Sequence, residues 1–377
     1  MKNSLVEKIA DAVLYEGYIL YPYRPSAVKN QQRWNFGALC PESYSVAQRG
    51  TESWTMQTEC LIQANPATSL SVKVRFLHLL TREVAVPNSV GGNGQSSTST
   101  LGAEYQVVPS LEVNGKLLQT WQEAVEREVV VPSVKLTGSE AASPGSHRVS
   151  FSFPGSESIE DLRDAESGKR SGVMVRKQEL LAGAIDVRLA DCGFSAEQIQ
   201  NVENSNTDSP EADRLLKVTI QILNETLLEN VSERSRDEAL MRSFVSTHTI
   251  LSADSGEFVS LLDPPEAFRE TAAACSNIGT YPVLVGEQDA RDCMLSSPII
   301  LYDYPQIAPE SPGSLFDGTE IDEILTLRIM TLTDEEKREM RGADERARQI
   351  LERTEIMPAE QLMKMHGAMK SVKKAGQ

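Results

Sequence analysis

Trp54–Gln63, WTMQTECLIQ, followed closely by Ser71–Leu80, SVKVRFLHLL, decides the fold class. In the first run Trp54, Met56, Thr58, Cys60 and Ile62 fall on one side and polar residues on the other. In the second, Val72, Val74, Phe76, His78 and Leu80 share a side. A period of two, rich in β-branched and aromatic residues, predicts half-buried strands. His78 is then a satisfied core histidine rather than a metal ligand.

Working outward, the same pattern recurs with short polar connections. Strands are predicted at Tyr105–Val108, through Ala124, Glu126 and Glu128 to Val131, at HRVSFSF (147–153), and once or twice within VMVRKQELLAGAIDVRLADCG (173–193). LLKVTIQILNET (215–226) is a further strand, with LMRSFVSTHTILS (240–252) as its companion and His248 late in that companion. Asn114-Gly115 between apolar residues marks a hairpin. Asn88–Thr100 and Gly138–Ser146, rich in Gly and Ser, read as surface loops. The charged stretch Ile159–Gly172 reads as irregular or weakly helical. Many strands with polar breaks predict a mainly β, α+β chain: an antiparallel β-sandwich-like core with a few peripheral helices and a helical C-terminal tail. No GxGxxG follows a strand, which argues against a Rossmann site.

Both ends differ from this core. Residues 1–17 read as a short amphipathic helix with Leu5, Ile9, Ala12 and Val13 inward. Glu7 and Asp11 interrupt any secretory signal, so a cytoplasmic location is expected. Leu14–Phe36 holds six of the 21 aromatic residues: Tyr15, Tyr18, Tyr21, Tyr23, Trp34 and Phe36. Pro22 and Pro25 predict an extended course. The rings serve either as a recognition surface or as a cover for one end of the core, and the second reading is favoured.

Asp263-Pro-Pro-Glu opens a helix, YPVLVGE (281–287) is a strand, and a proline-rich strap spans 296–318. ILTLRIMTL (324–332) reads as a strand. Thr333 and Glu336 form a capping box for a charged helix reaching about Arg353. The Met-rich basic end, with Leu362, Met363, Met365 and Met369, reads either as a partner-binding helix or as a frayed terminus. Three regions are thus expected: 1–40, a β-rich core at 41–332, and 333–377.

The 377 residues carry a net charge of −17, which repels phosphate backbones and argues against nucleic-acid binding. No apolar run is long enough to cross a bilayer as a helix. The five cysteines contain no CxxC pair and the four histidines no HExxH or HxH arrangement, so no disulfide framework, metal site or cofactor is expected. An enzymatic alternative makes Cys275 or Cys293 a nucleophile with His248 as base, for a thiol-dependent hydrolase or transferase. A third reading is metal delivery by cysteines and histidines gathered from distant strands.

The runs CMLSSPIILYDYPQIAPESPGSLFDGTEIDEILTLRIMTLTDEEKREM (293–340), LLDPPEAFRE (261–270), YPVLVGEQDARD (281–292) and LYPYRPSAVKNQQRWNFG (20–37) together resemble an uncharacterised bacterial family. That family is encoded near uptake [NiFe]-hydrogenase genes, especially of the oxygen-tolerant, high-affinity kind. The resemblance spans both ends of the chain and implies an accessory, maturation or assembly protein. It implies no hydrogenase subunit, because paired CxxC motifs and cluster-binding cysteines are missing. A non-catalytic protein that binds a hydrogenase subunit or precursor is therefore the expectation. Its candidate contact residues are Tyr21, Tyr23, Arg24 and Trp34 at the N-terminus, Tyr302 and Tyr304 in the strap, and Met363, Met365 and Met369 in the tail.

Overall fold

A computed structural model of the chain describes residues 2–18, 20–27, 30, 35–88, 104–136, 147–200, 214–307, 315, 322–358 and 360. Among them are thirteen strands: β1 (Thr55–Pro87), β2 (Tyr105–Val108), β3 (Ser110–Val113), β4 (Lys116–Gln119), β5 (Trp121–Lys135), β6 (His147–Phe153), β7 (Ser156–Arg163), β8 (Arg170–Gln178), β9 (Leu181–Asp191), β10 (Arg214–Asn224), β11 (Val245–Val259), β12 (Tyr281–Leu284) and β13 (Cys293–Ser297). The helices are α1 (Lys2–Leu14), α2 (Glu42–Ala47), α3 (Ala196–Gln200), α4 (Arg236–Leu240), α5 (Arg269–Ala273), α6 (Asp322–Met330), α7 (Asp334–Ala343) and α8 (Glu345–Glu355).

The two alternating runs are halves of one strand, β1, on which the sheet is hung. It pairs antiparallel with β10 over residues 55–64, with β5 over 69–82, with β8 over 81–85 and with β11 along much of its length. Between Ala64 and Ser69 four residues of β1 oppose Ser255 alone. There Asn65 N–H donates to Thr68 Oγ1 (2.9 Å), and Ser255 takes a positive φ of 57°. Such a bulge bends a strand sharply. The two halves of β1 therefore enter opposite layers, and their inward residues meet in one core. Met56, Cys60 and Ile62 from the first half join Val72, Val74 and Phe76 from the second. Phe76 stacks on Phe244 at 4.6 Å between centroids and meets the edges of Phe151 and Phe153 of β6.

The second half of β1 is buried on both faces, not one. Leu77 and Leu79 point away from the sandwich core into another cluster with Leu14, Tyr15, Tyr18 and Tyr23 from the N-terminal segment and Leu325, Ile329, Met340, Ala347, Ile350 and Leu351 from the C-terminal helices. Ionic contacts fasten the same junction. Arg75, its side chain 8% exposed, reaches Glu7 and Asp11 of α1 (3.2 and 2.7 Å) and Glu126 of β5 (3.1 Å). Arg346 of α8 pairs with Glu126 and lies 3.6 Å over the Tyr15 ring.

Several expectations change. Residues 159–172 are strand: β7 and β8 form a hairpin whose turn is closed by Gly168 N–H to Asp164 O (2.9 Å) and Ser167 N–H to Asp164 Oδ1 (2.7 Å). The stretch looked irregular because most of β7 is exposed and carries charge on both faces. Residues 324–332 are not a strand; α6 covers 322–330, and its buried Leu325 and Ile329 sit four apart against the second cluster. Tertiary burial of one stripe outweighs β-branched propensity there. The charged helix is two helices, broken where Asp344 turns extended (φ −146°) and caps α8 through Arg346 N–H (2.8 Å). β11 pairs with β1 and β13 rather than with β10, and His248 stands early in it. Residues 20–27 make turns rather than an extended run. The Thr333–Glu336 capping box is present as read.

Candidate functional site

The main concavity is an open groove of about 1150 Å³ where the segment 35–39, the start of β1, α4 and the ends of β12 and β13 converge. Its floor includes buried Met56, Leu240 and Met241, and its rim carries Phe36, Trp121 and Tyr281. Gly37 makes this assembly possible. It takes a positive φ of 54°, and an added Cβ would lie 2.7 Å from Pro298 Cβ and Cγ. Its carbonyl accepts from Thr247 N–H (3.1 Å), and Phe36 O accepts from Ser246 N–H (3.0 Å), so β11 holds the segment in place. Asn35 also lines the groove, and its buried Oδ1 has no hydrogen-bond partner among the described residues.

The opposite lip is α4. Ser235 accepts from Glu238 N–H (3.2 Å), and Glu238 accepts from Ser235 N–H (2.9 Å), which fixes the first turn. Those bonds and Arg234 hold the Glu238 carboxyl down at about 2. Arg236 pairs with Glu52 at 2.6 Å, while Asp237 also lines the groove. A smaller cleft of about 350 Å³ continues past Thr81, Glu238 and Met241 to Lys177, Glu179 and Arg242. Aromatic edges over an apolar floor with a polar, charged lip favour an extended peptide segment over a small reacting molecule. The described lining of the main groove contains no cysteine or histidine.

The residues singled out in the sequence are scattered. Tyr23 is buried, and its hydroxyl donates to Leu315 O at 2.6 Å. It therefore offers no surface to a partner, contrary to its selection as a contact residue. Tyr21 is half-buried against the second cluster, with the Arg328 guanidinium 5.6 Å from its ring centre. Arg24 binds Glu336 and Glu339 of α7 (3.0 and 3.7 Å). These residues join the two ends of the chain, which is the covering role rather than the recognition role. Tyr304 packs partly against the sandwich core, and its N–H donates to Leu284 O (2.8 Å). Tyr302, 83% exposed, stands free in solvent beside it. Trp34, Met363, Met365 and Met369 lie outside the described residues.

Sequence reading missed Trp121 and Tyr281 as rim residues. Nothing local marks Trp121. Tyr281 stands just before Pro282 at the start of an edge strand, a placement that favours exposure.

The thiols and histidines have contacts of their own. Cys275 Sγ donates to Thr271 O (3.8 Å), and Cys293 Sγ lies 3.6 Å from Ser252 Oγ. Burial pushes the Cys275 thiol up to about 11, the direction opposite to an activated nucleophile. His248 is fully buried; its Nδ1 lies 3.0 Å from Ser246 O and burial draws its pKa down to about 4. His78 is likewise pulled to about 4, mainly by burial and then by Arg127, with Nε2 2.9 Å from Glu179 O. Among the described residues, no three His, Cys, Asp or Glu side chains are grouped to hold a metal ion. No described helix is long and apolar enough to cross a membrane.

No family model matches the chain, and no curated protein matches it. Solved structures similar to it include three of the InvG secretin from the Salmonella SPI-1 injectisome. The secretin-domain β-barrel is 10% identical over 51% of this chain and 68% of that one, with a TM-score of 0.08. The complete secretin is 11% identical over 77% and 74%, and the basal-body assembly with PrgH and PrgK is 11% identical over 77% and 53%, each with a TM-score of 0.09. Overlaps this slight carry no argument about fold or function.

Proposed function

We propose that the chain is a non-catalytic accessory or assembly protein of the cytoplasm that binds a partner protein. The sequence resemblance makes a [NiFe]-hydrogenase subunit or its precursor the partner of first choice. The observation that carries the reading is the long groove with Phe36, Trp121 and Tyr281 on its rim. Exposed aromatic rings beside an open, apolar-floored channel supply contact area at low entropic cost. Exposed Ile300 and Tyr302, just beyond Pro298, extend the apolar surface from the groove's edge. An extended partner segment lying along the groove would bury those rings, and its backbone N–H would find the Asn35 oxygen.

The test is affinity capture with the full chain from cells producing a [NiFe]-hydrogenase. Hydrogenase components are expected with the unaltered chain and are expected to fall at least about tenfold with Trp121→Ala plus Tyr281→Ala. Removal of residues 361–377 measures the tail separately. Capture without any hydrogenase component, repeated with purified subunits, would sink the hydrogenase assignment. Capture insensitive to the groove variants would sink the groove as the site.

A further inference from the structure

The borders of the main sheet are not equally protected. At one end, β12 is covered: its Leu284 N–H donates to Asp303 Oδ1 (2.8 Å), and its Leu284 O accepts from Tyr304 N–H (2.8 Å). β7 borders the sheet elsewhere but carries Glu157, Glu160 and Asp161, and β5 carries Glu123, Glu126 and Glu128. Charge on an edge strand opposes pairing with another chain. At the far end lies β6, which pairs with β9 from His147↔Val187 to Phe153↔Leu181. No described residue pairs with the outer side of β6. Its sequence, HRVSFSF, contains no acid in a chain with 54. Its one strong cation, Arg148, is held by Asp186 (2.8 Å) and Glu225 (2.5 Å).

The open side of β6 also has a self-complementary pattern. Val149, Phe151 and Phe153 face the core, while Arg148, Ser150 and Ser152 are exposed. Antiparallel pairing of two β6 strands about a two-fold axis keeps like faces together only if the paired residue numbers sum to an even value. An axis through Ser150 pairs all seven residues. It sets Val149 against Phe151 of the second copy and Arg148 against Ser152, and no like charges meet.

We propose that β6 is a dimerisation edge, joining a second copy of this chain by antiparallel strand addition centred on Ser150. The occupant is another copy rather than a foreign strand because one seven-residue run satisfies both sides of the pairing in full. Each copy carries a net charge of −17, so long-range repulsion opposes the dimer and added salt strengthens it.

Light scattering coupled to size exclusion, run on the full chain over a range of concentration and salt, tests this. A dimer is expected whose dissociation constant falls as salt rises. Ser150→Asp puts two carboxylates together on the axis, and Ser152→Arg faces Arg148 of the second copy; each weakens dimerisation about tenfold or more. Ser152→Glu, which faces the same arginine, leaves it intact or tighter. Ser150 and Ser152 are exposed, so circular dichroism should be unchanged in all three variants. Hydrogen exchange of wild-type amides 147–153 provides a readout independent of the variants and should slow with concentration. A chain that stays monomeric at every concentration overturns the proposal. So does a dimer that ignores all three substitutions and leaves exchange at 147–153 unchanged.

Discussion

Arg82, in the last third of β1, donates from Nη2 to the carbonyl oxygen of Ala343 at 2.9 Å, the last residue of α7. The same nitrogen reaches Gly342 O (2.8 Å), Nε reaches Gln119 O (2.9 Å), and Nη1 pairs with Glu123 (2.7 Å). A buried guanidinium thus closes the C-terminal end of a helix whose terminal carbonyls have no helical donors. The strand that organises the sheet also fixes the C-terminal helices.

Arg82→Ala is therefore expected to destabilise the protein by about 3 kcal/mol, because several buried acceptors lose their donor together. Chemical denaturation measures the loss. Hydrogen exchange should quicken first in 334–355, where the cap is removed.

Stability should fall as the solution is acidified from near neutrality. His78 and His248 have folded pKa values of about 4, below the ordinary 6.5. Between those values the unfolded chain binds protons that the folded chain excludes. The stabilisation is complete above about 6.5 and is lost as pH falls through 4. For fully buried His248 this amounts to about 3 kcal/mol. His248→Asn should flatten the slope of unfolding free energy between pH 4 and 6.5. An unchanged slope would refute the assignment of that proton uptake to His248.

Gly37→Ala should strain the groove wall. The positive φ costs about 1–2 kcal/mol for a residue with a Cβ, and contact with Pro298 adds to it. A lower melting temperature is expected, together with weaker partner capture.

Thr333→Ala removes the side-chain acceptor for Glu336 N–H (3.3 Å) at the start of α7. A loss of about 1 kcal/mol is expected in denaturant titration. Thr333→Ser should restore most of it.

Much of this molecule was legible because its signals are local. The alternation of Met56, Thr58, Cys60 and Ile62 marks a strand whatever it pairs with. Asn114-Gly115 joins β3 to β4 as the dipeptide predicts, with both residues at positive φ. Thr333 and Glu336 cap a helix from three residues apart. The acidic edge of β7 misled because a strand with both faces in water has no apolar period. The helix α6 misled because only its burial against Tyr23, Leu351 and their neighbours distinguishes a stripe from an alternation.

The candidate site was far less legible. Phe36, Trp121 and Tyr281 are separated by 85 and 160 residues along the chain, so no spacing signals that they share a groove. Tyr23 and Tyr302 read alike in sequence, yet one is buried and the other almost wholly exposed.

The amino-acid order alone determined the β class, the turns, the caps and the negative surface, since each follows from neighbours a few bonds away. The three-dimensional packing decided which face of β1 each end of the chain covers, which rings remain in water, and which strand edge is left open. Those outcomes depend on contacts between residues hundreds of positions apart, where burial and pairing energies exceed the local preferences of either partner.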